Sequence, residues 1–367
     1  MIDRDELDAW LRLLEAPQVG RETARRLLAA FGSPQAARDA SDAAWREAAG
    51  VQRSHSAPEG RSSPEALTES TWQWLQGATM APRSVVTLGD AQYPSALLET
   101  ADPPLLLYVV GDADLLNRPA LAVVGSRNPT PQGVENARAF AAGLGDSGFV
   151  VVSGLALGID GAAHEGALRS ASGTIAVVGT GLDRVYPRRH LELARRIAER
   201  GSIVSEFALG TPALAHNFPV RNRIIAGLAQ GTLVVEAALQ SGSLITARLA
   251  AEAGREVFAL PGSIHAPQSR GSHALIKQGA KLVDSVQDIV EELRPPTRAG
   301  AAKAPLPAAE SADPVLRALG HDPTTLDALV ARTGWPAPEL NARLLELELE
   351  GRVSRLPGQL FQRRIAA

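Results

Sequence analysis

Two guanidiniums and an amide stand in a row in "HNFPVRNRIIAGLA", His216 to Ala229. Arg221, Asn222 and Arg223 follow closely on Phe218 and open an apolar run that reads as a helix. Arginine offers planar paired donors that fit a phosphate, and a helix start adds unpaired backbone amides. An aromatic platform beside a cationic groove holds single nucleic-acid strands without sequence preference. These four residues are therefore candidates for gripping a ligand that carries phosphates and bases. The competing reading buries Phe218 in a core and pairs the arginines with acids such as Glu206.

Other stretches carry related chemistry. "GSRNP" supplies Gly125, Ser126 and Arg127, and "SGLALGIDGAAHEGAL" opens with Ser153 and Gly154. "GTGLDRVYP" supplies Gly179, Thr180 and Gly181, and "EAALQSGSLITA" supplies Ser241, Gly242 and Ser243. Each follows an apolar strand-like run and leads into a helix. Glycine lets backbone amides approach an anion closely, and helix N-termini attract one. A dinucleotide is disfavoured because G-x-G-x-x-G is absent after the first strand and Ser153-Gly154 ends the second, where a ribose-binding acid is expected. A phosphate loop of the G-x-x-x-x-G-K-[ST] type is absent. Asp160 and His164, four apart on one helix, could ligate a metal, but no third ligand is evident. A capping Asp160 and a hydrogen-bonded His164 are the favoured reading. Glu236 reads either as a catalytic carboxylate or as a strand-ending cap for the next helix. With no cysteine, disulfides, thiolate zinc sites and a cysteine nucleophile are excluded. No cofactor and no metal are expected.

The elements that must position these residues alternate regularly. "ALAVVGS", "FVVVSG", "TIAVVGTG", "GSIVSE", "GTLVVEA" and "REVFALPG" read as buried strands. Helices are expected over 131–147, 158–170, 188–200, 219–229, 243–254 and 272–279. "SVVTLG" and "PPLLLYVVGD" add two short strands before them. Apolar strands flanked by amphipathic helices give a parallel sheet covered on both faces. The fold class is thus α/β: a Rossmann-like, doubly wound, mostly parallel sheet over 80–294. In such sheets ligands bind beyond the carboxyl ends of the strands, where all the loops above lie.

Residues 1–75 read as a helical domain of SAM or helix–hairpin–helix type, with a turn at Pro17, Val19 and Gly20 and a polar loop in "VQRSHSAPEGRSSPEALTES". Residues 295–312 are rich in Pro and Ala and read as a linker. Residues 313–367 read as three helices and a hairpin with Pro357-Gly358 at its tip, a winged-helix pattern. Its third helix carries Glu339, Glu346, Glu348 and Glu350 against Arg343, which disfavours a major groove. That module is expected to meet protein or to be structural, with Arg352, Arg355, Arg363 and Arg364 leaving a weak DNA role open.

The net charge of −3 over 367 residues does not advertise a nucleic-acid binder, yet phosphate binding needs only a local basic surface. Only Lys277, Lys281 and Lys303 are lysines, so arginine richness reads as composition bias. No apolar run is long enough to span a bilayer, and the charged N-terminus lacks a signal-peptide core. A cytoplasmic protein with no membrane partner is expected.

Taken together, these stretches resemble the DNA processing protein A family (DprA, also called Smf). "VVGSR", "SGLALGIDGAAHEGAL", "AVVGTGLDRVYP", "SEFALGT", the run from Phe218 to Gly262 and "GSHALIKQGAKLV" carry the resemblance, over roughly 84–292. It implies a protein that binds single-stranded DNA in natural transformation, protects it, and helps load the RecA recombinase. It implies a homodimer and a mediator rather than an enzyme. By motif, Ser126 and Arg127 contact a phosphate, the Gly179–Gly181 and Ser241–Ser243 loops line the same pocket, and Phe218, Arg221, Asn222 and Arg223 complete it. Some members carry a lysine where this chain has Ala215. The alternative is a LOG-type nucleoside monophosphate phosphoribohydrolase, but "GLAQGTLVVEAA" lacks the P-G-G of that family and sets Glu236 one place late. A third reading is an interaction protein whose rim loops hold no ligand.

Overall fold

The computed structural model describes residues 2–50, 63–293, 313–320, 323–356, 358 and 360–364. The expected linker 295–312, most of the polar loop after Val51, and Pro357 lie outside them.

The centre of the fold is a nine-stranded sheet. Its strands are β1 (Arg83–Thr87), β2 (Leu106–Gly111), β3 (Ala120–Val124), β4 (Val150–Ser153), β5 (Thr174–Val177), β6 (Ser202–Ser205), β7 (Gly231–Val234), β8 (Glu256–Ala259) and β9 (Lys281–Leu282). The order is β1-β2-β6-β5-β4-β3-β7-β8-β9. From β6 to β9 all neighbours are parallel, and β2 and β1 close one side antiparallel. The six expected core strands are present, and the sheet gains the short edge strand β9.

Successive residues of a strand face opposite sides of a sheet, so a run apolar throughout needs cover on both. Ala122, Val124, Val152, Val177 and Val234 face the helices Asn217–Leu228 and Ser243–Glu252, meeting Ile224, Ile225, Leu228 and Ala247. Leu121, Val123, Val151, Leu233 and Phe258 face the other way, toward Ala137, Phe140 and Leu144 of helix Pro131–Asp146 and Ala163 of helix Ile159–Ala167. The strand order reverses between β3 and β7, which pair in parallel with Val124 opposite Val234. That is the switch point where the loops of the two halves diverge and leave a crevice.

The N-terminal part has helices Arg4–Glu15, Arg21–Phe31, Pro34–Asp39, Asp42–Ala49 and Pro64–Gln76. The last begins inside the stretch read as a polar loop. Ser63 accepts the Ala66 amide and Pro64 fits the first turn, so these polar residues start a helix. These helices do not form a separate core. Leu7, Trp10, Leu27 and Trp45 pack in one cluster with Val85, Leu105, Leu106 and Tyr108 of the β1–β2 region. Arg21 and Arg25, just after the expected turn, are both bonded to Asp102.

The C-terminal unit has helices Pro314–Leu319, Leu326–Thr333 and Ala337–Leu349 and a three-stranded antiparallel sheet of Thr324–Thr325, Leu360–Arg363 and Val353–Leu356. Its own core holds Leu316, Leu329, Leu344 and Phe361. On the acidic third helix, Arg343 is held by Asp313 and Glu346. No helix among the described residues is long and apolar enough to cross a membrane.

Candidate nucleic-acid interface

A cleft of about 440 Å³ opens at the carboxyl ends of β3 and β7. Gly125, Ser126, Arg127, Phe218, Arg221, Asn222, Ser241, Gly242 and Ser243 all line it. The remaining sequence candidates, Gly154, Gly179, Thr180, Gly181 and Arg223, do not.

The loop after β3 is shaped by close packing. A Cβ on Gly125 would meet Ile159 Cγ1 at 2.7 Å and the Glu236 carbonyl at 2.9 Å. The Ser126 amide donates to the Glu236 carbonyl at 2.7 Å, and the Ile159 amide donates to the Ser126 carbonyl at 3.1 Å. The half-buried Glu236 carboxylate accepts from the Thr130 amide at 2.9 Å and the Thr130 hydroxyl at 2.5 Å. Burial raises its pKa, opposed by the Thr130 bonds. Glu236 does not cap the next helix along the chain; it braces Thr130, the N-cap of the helix after β3. Each of its oxygens accepts one bond from Thr130, which fixes the carboxylate against the loop after β3.

Arg127 leaves this loop exposed, with no carboxylate or hydrogen-bond partner among the described residues. Its Cζ lies 5.8 Å from the centroid of the Phe218 ring. Phe218 is only half buried and belongs to no core cluster. The ring leans over Gly179, where a Cβ would meet it at 3.1 Å. Asn217 fixes the head of this helix by donating from Nδ2 to the Gly179 carbonyl at 3.0 Å.

Arg221 is buried although it lines the cleft. Its Nη1 donates to the Gly154 carbonyl at 2.6 Å and also to the Val177 carbonyl, and its Nε donates to Asn222 Oδ1 at 3.1 Å. It thereby ties the ends of β4 and β5 to the helix. Any side chain on Gly154 would overlap the guanidinium, so Gly154 supports the site from behind. Burial pulls the Arg221 pKa down to about 10, opposed by Asp160, while Arg127 adds to the depression. Asp160 lines the same cleft and accepts the Gly154 and Ala156 amides at 3.1 and 3.3 Å. Burial raises its pKa against the pull of Arg221 and of these amides.

Asp160 does not cap its helix, whose N-cap is Gly158 with no side-chain bond; it holds the preceding loop instead, while the hydrogen-bonded reading of His164 fits the structure. His164 Nε2 accepts the Leu155 amide at 3.3 Å. Thr174 Oγ1 donates to the Val151 carbonyl at 2.6 Å, so Nδ1 must donate to Thr174 at 2.8 Å. Burial lowers the His164 pKa to about 3, so the ring is neutral. Among the described residues no group of acids and histidines could hold a metal.

Two expectations need correction. Arg223 does not reach the cleft. It bonds Asp102 at 2.9 Å and Glu206 at 2.5 Å, beside Arg21 and Arg25. The spacing foretold this: residues two apart on a helix point about 200° apart. Arg221 and Arg223 cannot serve one pocket, and pairing with Glu206 holds for Arg223 alone. Nor does the Gly179–Gly181 loop line the cleft. Thr180 is buried, its carbonyl accepting from Ser205 Oγ at 2.7 Å. The Gly181 amide donates to the Thr211 carbonyl at 3.0 Å, placing this turn under the 207–211 segment.

On the β7 side, Gly242 precedes helix Ser243–Glu252, which has no side-chain cap. Ser241 Oγ and Ser243 Oγ lie 2.7 Å apart there, and Asn222 Nδ2 is 3.5 Å from the Gly242 carbonyl. Sequence reasoning missed Asn128, Ala156, Gln240 and Thr246, which also line the cleft. All four sit in or beside the loops it had marked.

A model of the DNA recombination-mediator protein A family matches residues 84–294. The chain belongs to this family. Models of its winged-helix domain and its N-terminal helix–hairpin–helix domain match 299–359 and 4–66. Protein Smf of Escherichia coli K12 is 45% identical over 309 residues, covering 80% of each chain. The crystal structure of DNA processing protein A from Streptococcus pneumoniae superposes with a TM-score of 0.65 at 36% identity, covering 79% of this chain and 98% of that one. The Helicobacter pylori protein, whose structure is described for its single-stranded DNA binding mode, gives a TM-score of 0.52 at 34% identity, over 57% of this chain and 95% of that one. The family is described as DNA recombination mediators, which supports a DNA-processing role.

Proposed function

We propose that this protein binds single-stranded DNA in the β3–β7 cleft, protects incoming strands during natural transformation, and helps load the RecA recombinase. The observation that carries this reading is the unpaired Arg127 guanidinium set beside the half-exposed Phe218 ring. A phosphate has a free bidentate donor there and a base has an aromatic face. The head of helix Ser243–Glu252 and the Arg221 charge behind the cleft add positive potential. Gly125, Ser126, Asn222, Ser241, Gly242 and Ser243 supply backbone and side-chain donors. Gly154 holds Arg221, and Gly179 seats Phe218, so both act behind the contact surface. Ala215 is exposed and leaves its position without a cation.

The protein acts in this reading as a cytoplasmic mediator without cofactor or membrane partner, not as a catalyst. The homodimer is assigned to the Rossmann-like domain, whose β8–β9 end exposes Ile264 and Leu282. The domains are taken as 1–75, 80–294 and 313–367, joined through 295–312. The experiment is anisotropy of a labelled oligothymidylate and its duplex form across a salt series. A salt-sensitive preference for the single strand supports the reading. Equal or absent binding overturns it.

A further inference from the structure

The cleft ends at Phe218, yet the aromatic surface does not. Tyr186 lies against Phe218 with ring centroids 5.5 Å apart and planes tilted by 38°. It is 51% exposed and is not part of the cleft lining. Exposing half of a large aromatic ring in a well-packed domain leaves apolar surface that a stacked partner would cover. The chain then turns through Arg188–His190. His190 anchors this turn: its Nδ1 lies 3.0 Å from the Leu155 carbonyl, one residue from the cleft-lining Ala156. Arg188 and Arg189 are exposed and have no acidic partner among the described residues. The nearby Asp183 is occupied by Arg184 and the Gly210 amide. An aromatic face followed by two uncommitted guanidiniums repeats the chemistry of Phe218 and Arg127 one step further out.

We propose that Tyr186, Arg188 and Arg189 form a second subsite that receives the strand as it leaves the cleft. The next base stacks on the outer face of Tyr186, and the phosphates beyond it meet the two arginines. This rests on the single-strand reading above and fixes the direction in which the strand departs.

The test is affinity of the full chain for oligothymidylates of about 4 to about 20 nucleotides, across salt. Tyr186→Ala, Tyr186→Phe and Arg188→Gln/Arg189→Gln are compared with wild type. Losses should grow with oligonucleotide length, reaching about 5- to 150-fold for Tyr186→Ala, the range for one lost base stack. Tyr186→Phe should retain the affinity, because the ring and not the hydroxyl is used. The double arginine variant should lower the salt slope by about 0.7 for each phosphate lost, for long oligonucleotides only. An equal loss at every length marks Tyr186 as a prop for Phe218 and overturns the subsite. Variants that match wild type at every length do the same while leaving the cleft reading intact. Failure of wild type to bind any oligonucleotide overturns both.

Discussion

Arg127 is the residue whose removal separates binding from folding most cleanly. It is exposed, and its guanidinium lies 5.8 Å from the centroid of the Phe218 ring. An exposed cation–π contact is worth about 0.5–1 kcal/mol, so Arg127→Ala should shift the unfolding free energy by no more than that. A hydrogen bond to a charged group contributes about 1.5–3 kcal/mol, which is about 10- to 150-fold in affinity. Each single-strand phosphate contact adds about 0.7 to the salt slope. Between 50 and 200 mM salt, the gap between wild type and variant should therefore narrow by about 2.5-fold. Arg127→Lys should keep the slope and recover part of the affinity, since the charge stays but the paired donors go. Arg223→Ala is the control. Its guanidinium is spent on Asp102 and Glu206, so it should lower stability while leaving the slope unchanged. Anisotropy across salt, with urea unfolding of the same preparations, reads all of this. An Arg127→Ala protein that binds with the wild-type slope would refute direct phosphate contact.

Arg221→Ala should lose affinity and also about 2–4 kcal/mol of stability, because the Gly154 and Val177 carbonyls lose a buried charged donor; full stability in urea would show that the guanidinium is not anchored there. Asp160 has a folded pKa raised by burial, so its ionised form costs stability above that value and the cost is relieved as pH falls through it. Asp160→Asn should lack this gain on acidification, and unfolding curves at neutral and mildly acidic pH that run parallel for both proteins would count against the assignment. Deleting 313–367 should leave affinity for the single strand nearly intact, since the third helix there is acidic, and a large loss in anisotropy would return DNA contact to that module.

The fold was legible because a strand buried on both faces is apolar at every position, and that pattern survives in a single sequence. β9 was not, since two residues with one exposed carry no pattern. Which loops meet depends on strand order. Five loops end on the same rim, but only the switch between β3 and β7 opens a cleft, and that is fixed by long-range pairing. The Gly179–Gly181 turn has the glycines of an anion loop, yet it is roofed by a segment some thirty residues later, which no local signal reports. Arg223 was different, because helical geometry alone separated it from Arg221. The pairing of Glu236 with Thr130 joins residues far apart in the chain, so its role as a brace emerged only from the packing.

That brace bears on how fast the protein acts. Glu236 latches the loop after β3 to the end of β7, and Gly133 makes room for the carboxylate, which any side chain there would overlap. The mouth of the cleft is thus set before any ligand arrives. A preset mouth needs no slow rearrangement on encounter, so capture runs at a rate governed by collision and charge steering. Differences between one strand and another then emerge in how long each stays. In the role proposed above, the residence time becomes the tunable quantity.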